Sequence, residues 1–172
     1  MKKIILFSSI CMLLIVYIYN EKSEIIIPKD SVRFRIIPNS NSSKDILIKE
    51  KVKERLYKED VLNETATNLI DARTDLSSKV PIVENLIMDE FNKNNYDKTF
   101  DVKYGYNYFP EKKYKGIKYE SGDYESLVIK IGEAKGDNFW CVLYPPLCVL
   151  EESNLENKDY KFLITEILKK YL

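Results

Sequence analysis

The sequence contains no histidine among its 172 residues. This absence excludes the Ser-His-Asp and Cys-His forms of nucleophilic catalysis, the imidazole general base and most zinc sites. Carboxylates, lysine, tyrosine and cysteine remain as groups that could do chemistry. A glycine-rich phosphate loop is also missing, so we expect no cofactor. We therefore predict that the protein is not an enzyme.

An excess of charge of either sign is missing as well, because lysine plus arginine and aspartate plus glutamate both number 27. A balanced chain has no general basic surface for a phosphate backbone, so nucleic acid is not an expected partner. Glycine (5) and proline (6) are scarce, and apolar residues make up 45% of the chain, as is ordinary for a folded protein. At this length we expect one domain with a short appendage.

The N-terminal appendage has the pattern of an export signal. The segment MKKIILFSSICMLLIVYIYN begins with two lysines, continues with an apolar run over residues 4–19 and ends at a polar asparagine. The run is shorter than the about 20 residues that a bilayer core needs, and its basic start is typical of a signal peptide. No Ala-x-Ala-like site follows, so two hypotheses stay open for residues 1–22: a cleaved signal peptide, or an anchor that contacts the membrane through residues 4–19. Both predict an exported protein, whereas a third hypothesis, a buried helix at the start of a cytosolic fold, is disfavoured by the basic start and polar exit of the segment.

Apolar spacing predicts the organisation of the remaining chain. Residues 23–31 are expected to form a tether or an edge strand, because Pro28 breaks a short apolar patch. Residues 32–172 are expected to form a single globular domain. Alternation predicts strands at 32–37, 100–108 and 124–132. Spacings of three and four predict helices at about 42–59, 62–76, 80–94 and 157–172, with Pro81 separating the second and third. The run from Ser42 to Asp45 fits a capping box, which predicts the start of the first helix. The expected fold is α+β: a small mixed or antiparallel sheet with amphipathic helices packed on one face, preceded by the apolar signal or anchor helix.

Two cysteines remain after the leader, Cys141 and Cys148, with Pro145 and Pro146 between them. A turn at the prolines could bring the two Cα atoms within the about 7 Å that a disulfide needs. Alternatively, both cysteines are buried free thiols, or one is a catalytic thiol activated by lysine or arginine. A metal site is not expected, because it would need histidine or further cysteines.

Several short motifs lie between Val32 and Val149: Asn39-Ser40 before the first helix, GDYESL at 122–127, IGE at 131–133, and WCV and PPLC within 140–148. Together they resemble the stage II sporulation protein R family of endospore-forming bacteria. That family usually has histidine where this chain has Arg35 and alanine where it has Pro38.

The resemblance implies a signalling protein that the forespore exports into the space between the two membranes of the dividing sporangium. There it would activate stage II sporulation protein GA, the membrane-embedded aspartic protease of the mother cell that matures the precursor of sigma factor E. An uncleaved leader would instead hold the protein on the outer face of the cell membrane.

A protein ligand of this kind needs a contact surface, and exposed aromatic and proline-rich edges often supply one. The candidate partner-binding residues are Asn39, Ser40, Trp140, Tyr144, Pro145 and Pro146. Each also has a structural interpretation, since tryptophan commonly packs in a core and an Asn-Ser loop commonly caps a helix.

Two other function classes stay open. A secreted hydrolase acting on cell wall or peptide could use a carboxylate pair such as Asp123 with Glu125 or Glu133, because acids two apart on a strand share a face. Acids beside a Ser-Gly turn are also commonly just solvated. The third class is a structural envelope protein anchored by residues 4–19.

Overall fold

The computed structural model describes Met12 and residues 25–63, 65–114, 117–151 and 157–171. The predicted leader, residues 1–22, lies outside these ranges except for Met12. Within them, no helix combines the length and the apolar character that crossing a bilayer requires. The described elements are, in chain order, β1 (Ile25–Ile26), β2 (Val32–Ile37), α1 (Ser43–Lys58), α2 (Leu69–Ser78), α3 (Val80–Lys93), β3 (Phe100–Phe109), β4 (Lys112–Tyr114), β5 (Ile117–Tyr119), β6 (Gly122–Ile131), β7 (Phe139–Tyr144), α4 (Cys148–Glu151) and α5 (Asn157–Tyr171).

The described strands form two sheets. The main sheet has the order β3-β6-β2-β7, and the small sheet has the order β1-β5-β4. In the main sheet β2 runs parallel to β6, whereas β2 with β7 and β3 with β6 are antiparallel. The parallel pair needs a long crossover, which the three helices between β2 and β3 help to provide. The prediction of an α+β fold with a mixed sheet is confirmed, and the small sheet is an addition to it.

Three helices cover one face of the main sheet. The strands present an apolar side to them because alternate strand residues point the same way; on β2 these are Val32, Phe34 and Ile36, all fully buried. Helix α5 packs elsewhere, with Tyr160 and Ile164 against the small sheet and the opposite side of β7. The prediction that the helices share one face therefore holds for α1, α2 and α3 but not for α5.

The second helix begins later than the predicted 62–76. Helix α2 begins after Asn68, whose side-chain oxygen accepts a hydrogen bond from the Asp71 amide at 2.9 Å and caps the first turn. Leu62 is buried in the core without being helical. Its apolar character reflects burial of the connection, which apolar spacing alone does not distinguish from a helix.

The other helix ends follow the predicted signals. The Ser42 side chain accepts a hydrogen bond from the Asp45 amide at 3.2 Å and caps α1. Pro81 lies in the first turn of α3, where its missing amide costs no helical hydrogen bond, so α2 and α3 are separate helices as predicted.

Candidate functional site

The face of the main sheet that points away from α1, α2 and α3 carries a group of cationic and aromatic side chains. Arg33 and Arg35 lie on this face because they alternate with the apolar residues of β2, and Arg35 pairs with Trp140 of β7. Phe109 of β3 and Tyr124 of β6 reach the same side. We call these five residues the cation–aromatic cluster.

In the cluster each guanidinium group lies close to two aromatic rings. The Arg33 Cζ atom lies 3.2 Å from the Tyr124 ring centroid and 5.4 Å from that of Phe109. The Arg35 Cζ atom lies 4.7 Å from the Phe109 centroid and 5.5 Å from that of Trp140. Phe109 meets Trp140 edge to face at 5.1 Å. Such contacts favour retention of both positive charges next to the ring faces.

Arg33 is an unusual residue for the interior, since it is only 1% exposed. Its Nη1 atom donates to the Glu120 carbonyl oxygen at 3.4 Å, but Nε and Nη2 have no hydrogen-bond partner. None of the described carboxylates lies within ion-pair distance of it. Burial lowers the pKa of Arg33, yet a guanidinium remains charged in proteins. A buried positive charge without a counter-ion is costly, so this residue marks the site as more than a packing feature.

A cavity of about 190 Å³ opens beside the cluster. Its wall combines aromatic rings with polar and cationic groups: Arg33, Phe109, Lys112, Tyr114, Tyr119, Asn138, Phe139, Trp140 and Cys141. The Lys112 Nζ atom lies 5.3 Å from the Trp140 ring centroid. The cavity is smaller than the ~300–1,000 Å³ of typical small-molecule sites, so it suits a single side chain or a chain end.

The half-buried Trp140, a predicted contact residue, belongs to the cluster and also to the cavity wall. Its ring packs against Phe109, which satisfies the structural interpretation, but it also lines the cavity wall next to Lys112. Both roles are therefore available to the same side chain.

The second predicted feature, the pair Cys141 and Cys148, forms a disulfide with Cα atoms 5.0 Å apart. The chain turns back between them, and the Leu147 amide donates to the Val142 carbonyl oxygen at 3.0 Å. The Tyr57 hydroxyl of α1 donates to the Cys148 carbonyl oxygen at 2.9 Å. The bridge thus fixes the end of β7, and Cys141 itself is part of the cavity wall.

The turn between the two cysteines is largely buried and does not project from the surface. Tyr144 is 4% exposed, and its hydroxyl donates to the Tyr171 carbonyl oxygen at 3.4 Å. Pro145 is buried after a cis peptide bond, and Pro146 is half-buried. Of the three predicted contact residues in this turn, Pro146 offers the most accessible surface.

Asn39 and Ser40 do not line the cavity; they lie in the connection from β2 to α1 and bind the Asp45 carboxylate. Asn39 Nδ2 and Ser40 Oγ donate to Asp45 Oδ2 at 2.8 and 2.5 Å, and the Tyr96 hydroxyl donates to Oδ1 at 2.7 Å. Burial alone would raise the pKa of Asp45, but the hydrogen bonds from Ser40, Tyr96, Asn39 and the Ser42 cap outweigh it and hold that pKa well below its ordinary value. The acid of the predicted capping motif therefore binds the preceding loop instead of reaching back to the cap amide.

Glu125 and Glu133, two carboxylates of the hydrolase hypothesis, are each engaged with different partners. Glu125 receives the Arg73 guanidinium at 2.6 Å on one oxygen and the Tyr104 hydroxyl at 2.7 Å on the other. Burial and this hydrogen bond raise the pKa of Tyr104. Glu133 is exposed in the turn after β6 and pairs with Lys135. In the part of the chain that the structure describes, no group of three or more cysteine and acidic residues could hold a metal ion.

Sequence reasoning missed Arg33, Phe109 and Lys112 as parts of the site. Alternation puts Arg33 on the side of β2 opposite to Val32, Phe34 and Ile36, and it gives no sign of what covers that side. The available signal was the Arg-x-Arg pattern on a strand together with a tryptophan and an aromatic-rich strand that could pair around it.

Comparison with known proteins places these features in a family. The family model of stage II sporulation protein R matches residues 28–154, which include the whole cation–aromatic cluster and the cavity wall. The stage II sporulation protein R of Bacillus subtilis (strain 168) is 33% identical over 138 residues, which are 80% of this chain and 62% of that protein. The match thus spans less than two thirds of this relative's length. No solved structure matches the chain.

Proposed function

Since this chain belongs to the stage II sporulation protein R family, we propose that it is an exported signalling protein of sporulation. It activates the membrane-embedded aspartic protease stage II sporulation protein GA, so that the precursor of sigma factor E is processed. The family match over residues 28–154 is the observation that carries this proposal.

The proposed location is the space between the forespore and mother-cell membranes. The apolar leader pattern of residues 1–22 supports export, and the disulfide between Cys141 and Cys148 suits a compartment without cytoplasmic thiol reductants. If the leader is not removed, residues 4–19 hold the protein on the outer face of the membrane.

The proposed mechanism is recognition without bond making or breaking. A ligand that binds the active state of the protease more tightly than the inactive state shifts its population towards activity. Trp140 and Pro146 are half-buried like Asn39 and Ser40, but Asn39 and Ser40 already bind Asp45, and the cavity beside Trp140 extends the surface there. Tyr144, Pro145, Asn39 and Ser40 would then act mainly by holding their loops in shape.

The proposal is tested by reconstitution in non-sporulating cells of an endospore former. The full chain, the protease and the sigma precursor are produced together, and cleavage of the precursor is followed by immunoblot. We expect cleavage when all three are present, and loss of cleavage without the protease or when residues 1–22 are deleted. The proposal fails if an exported, folded chain leaves the precursor uncut, or if the chain without its leader works equally well.

A pair of variants tests the surface in the same assay. Trp140→Ala should lower cleavage about tenfold, which is the change that about 1.4 kcal/mol of contact energy represents. The matched control is Phe162→Ala, because Phe162 is an aromatic residue on α5 that is 64% exposed and does not line the cavity. Normal cleavage with an exported, folded Trp140→Ala chain would remove Trp140 from the contact surface.

A further inference from the structure

The cavity beside Trp140 is positively charged on several sides. Arg33 and Lys112 line it, and the Arg35 Cζ atom lies 4.7 Å from the centroid of the Phe109 ring, which also lines it. None of these three cations has an ion-pair partner among the described residues. The acidic residue nearest in sequence to Lys112, Glu111, pairs instead with Lys118 at 3.5 Å.

The unpartnered atoms of Arg33 have a defined geometry. Nε and Nη2 form one edge of the planar guanidinium, and Nη1 on the other side already donates to a carbonyl oxygen. This free edge presents two parallel donors, which match the two oxygens of a carboxylate. Both donor atoms are buried in this structure, so an acceptor from outside reaches them only when the surrounding wall opens.

The remaining wall is mainly aromatic, with Phe109, Tyr114, Tyr119, Phe139 and Trp140, and it is completed by Asn138 and Cys141. An occupant therefore needs a negatively charged end next to an apolar group. The volume of about 190 Å³ limits it to one side chain or a chain terminus.

From this combination we infer that the cavity is a carboxylate-binding site that receives an acidic side chain or the C-terminal carboxylate of a protein partner. Arg33 binds the carboxylate through its free edge, Lys112 adds a second positive charge, and the rings pack on the adjoining apolar group. Lys112 and Tyr114 are the exposed residues of the wall, so the occupant enters past them. The identity of the partner rests on the proposed function, whereas the chemistry of the cavity is independent of it.

Trp140 is the single tryptophan of the chain, so its fluorescence reports occupancy of the cavity directly. The full-length protein in mild detergent is titrated with three peptides: acetyl-Leu-Leu with a free C-terminal carboxylate, the same peptide with a C-terminal amide, and acetyl-Leu-Asp-Leu-amide. We expect a saturable change in emission with at least one carboxylate peptide, and binding of the amide peptide at least about tenfold weaker. Comparison of the first and third peptides distinguishes a chain terminus from an acidic side chain.

Substitutions of the cationic residues test which positive charges bind the carboxylate. Lys112→Gln should weaken binding of the carboxylate peptide at least about threefold, since it removes one of two charges at the site. Lys103→Gln is the matched control on β3, where Lys103 is exposed and pairs with Asp101 at 3.2 Å. Arg33→Gln should abolish binding of the carboxylate peptide. Because Arg33 is buried, this variant can fail to fold, and the comparison of Lys112→Gln with Lys103→Gln then decides whether the cavity binds a carboxylate.

The inference is overturned if no peptide gives a saturable change, if acid and amide peptides bind alike, or if Lys112→Gln behaves like Lys103→Gln. Because these titrations contain no protease, such a result leaves the proposed function standing. Conversely, failure of precursor cleavage in cells does not change the outcome of the peptide titrations.

Discussion

Replacement of Asp45 by asparagine tests whether the connection from β2 to α1 is held by a buried charge. Asp45 is 6% exposed, and its carboxylate accepts hydrogen bonds from Asn39, Ser40 and Tyr96. The introduced asparagine would keep the shape of the side chain and one acceptor oxygen. Its amide group would face donors where Oδ2 now accepts from Asn39 and Ser40, so two bonds to a charged acceptor are lost.

The expected cost follows from those two bonds. A hydrogen bond to a charged group contributes about 1.5–3 kcal/mol, so the loss of two is worth roughly 3–6 kcal/mol. Because Asn39 and Ser40 are only half-buried, hydrogen bonds to water recover part of this lost free energy. We therefore expect Asp45→Asn to lower the free energy of unfolding by about 3 kcal/mol at neutral pH.

The pH dependence gives a second and sharper signature. The pKa of Asp45 in the folded protein lies below its ordinary value of 3.8, so its contribution to stability is present above about pH 4 and is lost as the pH falls. Asparagine binds no proton in this range. Between about pH 5 and pH 3 the gap between wild type and Asp45→Asn should therefore shrink by about 1 kcal/mol.

Urea unfolding followed by circular dichroism at several pH values measures both quantities. The control is Asp89→Asn, because Asp89 is an exposed acid on α3 and should change stability by less than about 0.5 kcal/mol. The reasoning is refuted if Asp45→Asn matches the wild type at neutral pH, or if the gap stays constant or widens on acidification.

Two further predictions concern the other connections of the domain. Replacement of both Cys141 and Cys148 by alanine should lower the free energy of unfolding by about 2 kcal/mol, because their sequence separation of 7 closes a short loop; unchanged urea midpoints would contradict this. Gly136→Ala should lower it by about 1–3 kcal/mol, because the added methyl group would overlap the Ser40 carbonyl oxygen; a thermal melt with an unchanged midpoint would show that the turn after β6 gives way freely.

Local signals account for the parts of the fold that the sequence predicts well. The alternation of Val32, Phe34 and Ile36 identified β2, because one side of that strand lies against helices. The Ser42 cap and Pro81 located helix ends, since both act within one turn of the backbone. These features depend on neighbours in sequence and need no knowledge of the rest of the chain.

Features that depend on distant contacts were harder to predict. The helix predicted at 62–76 extended over Leu62, which the core buries in a nonhelical connection. The small sheet joins Ile25–Ile26 to a strand near residue 117, a pairing that no local pattern indicates. The aromatic and proline residues of the turn after β7 are apolar whether they project or pack, and their burial depends on α5 and α1.

Arg33 shows how the same limit applies to the site. Its position in the alternating pattern assigned it correctly to the outer side of β2, but pattern alone does not say what covers that side. In the structure, Phe109 and Tyr124 enclose it and leave one edge of the guanidinium without an acceptor. A methionine or leucine would fill this space without burying a charge, so folding alone does not require arginine here. The need for a cation at this position is explained if Arg33 binds an anion from outside the chain. Arg33 would then be part of the proposed recognition surface.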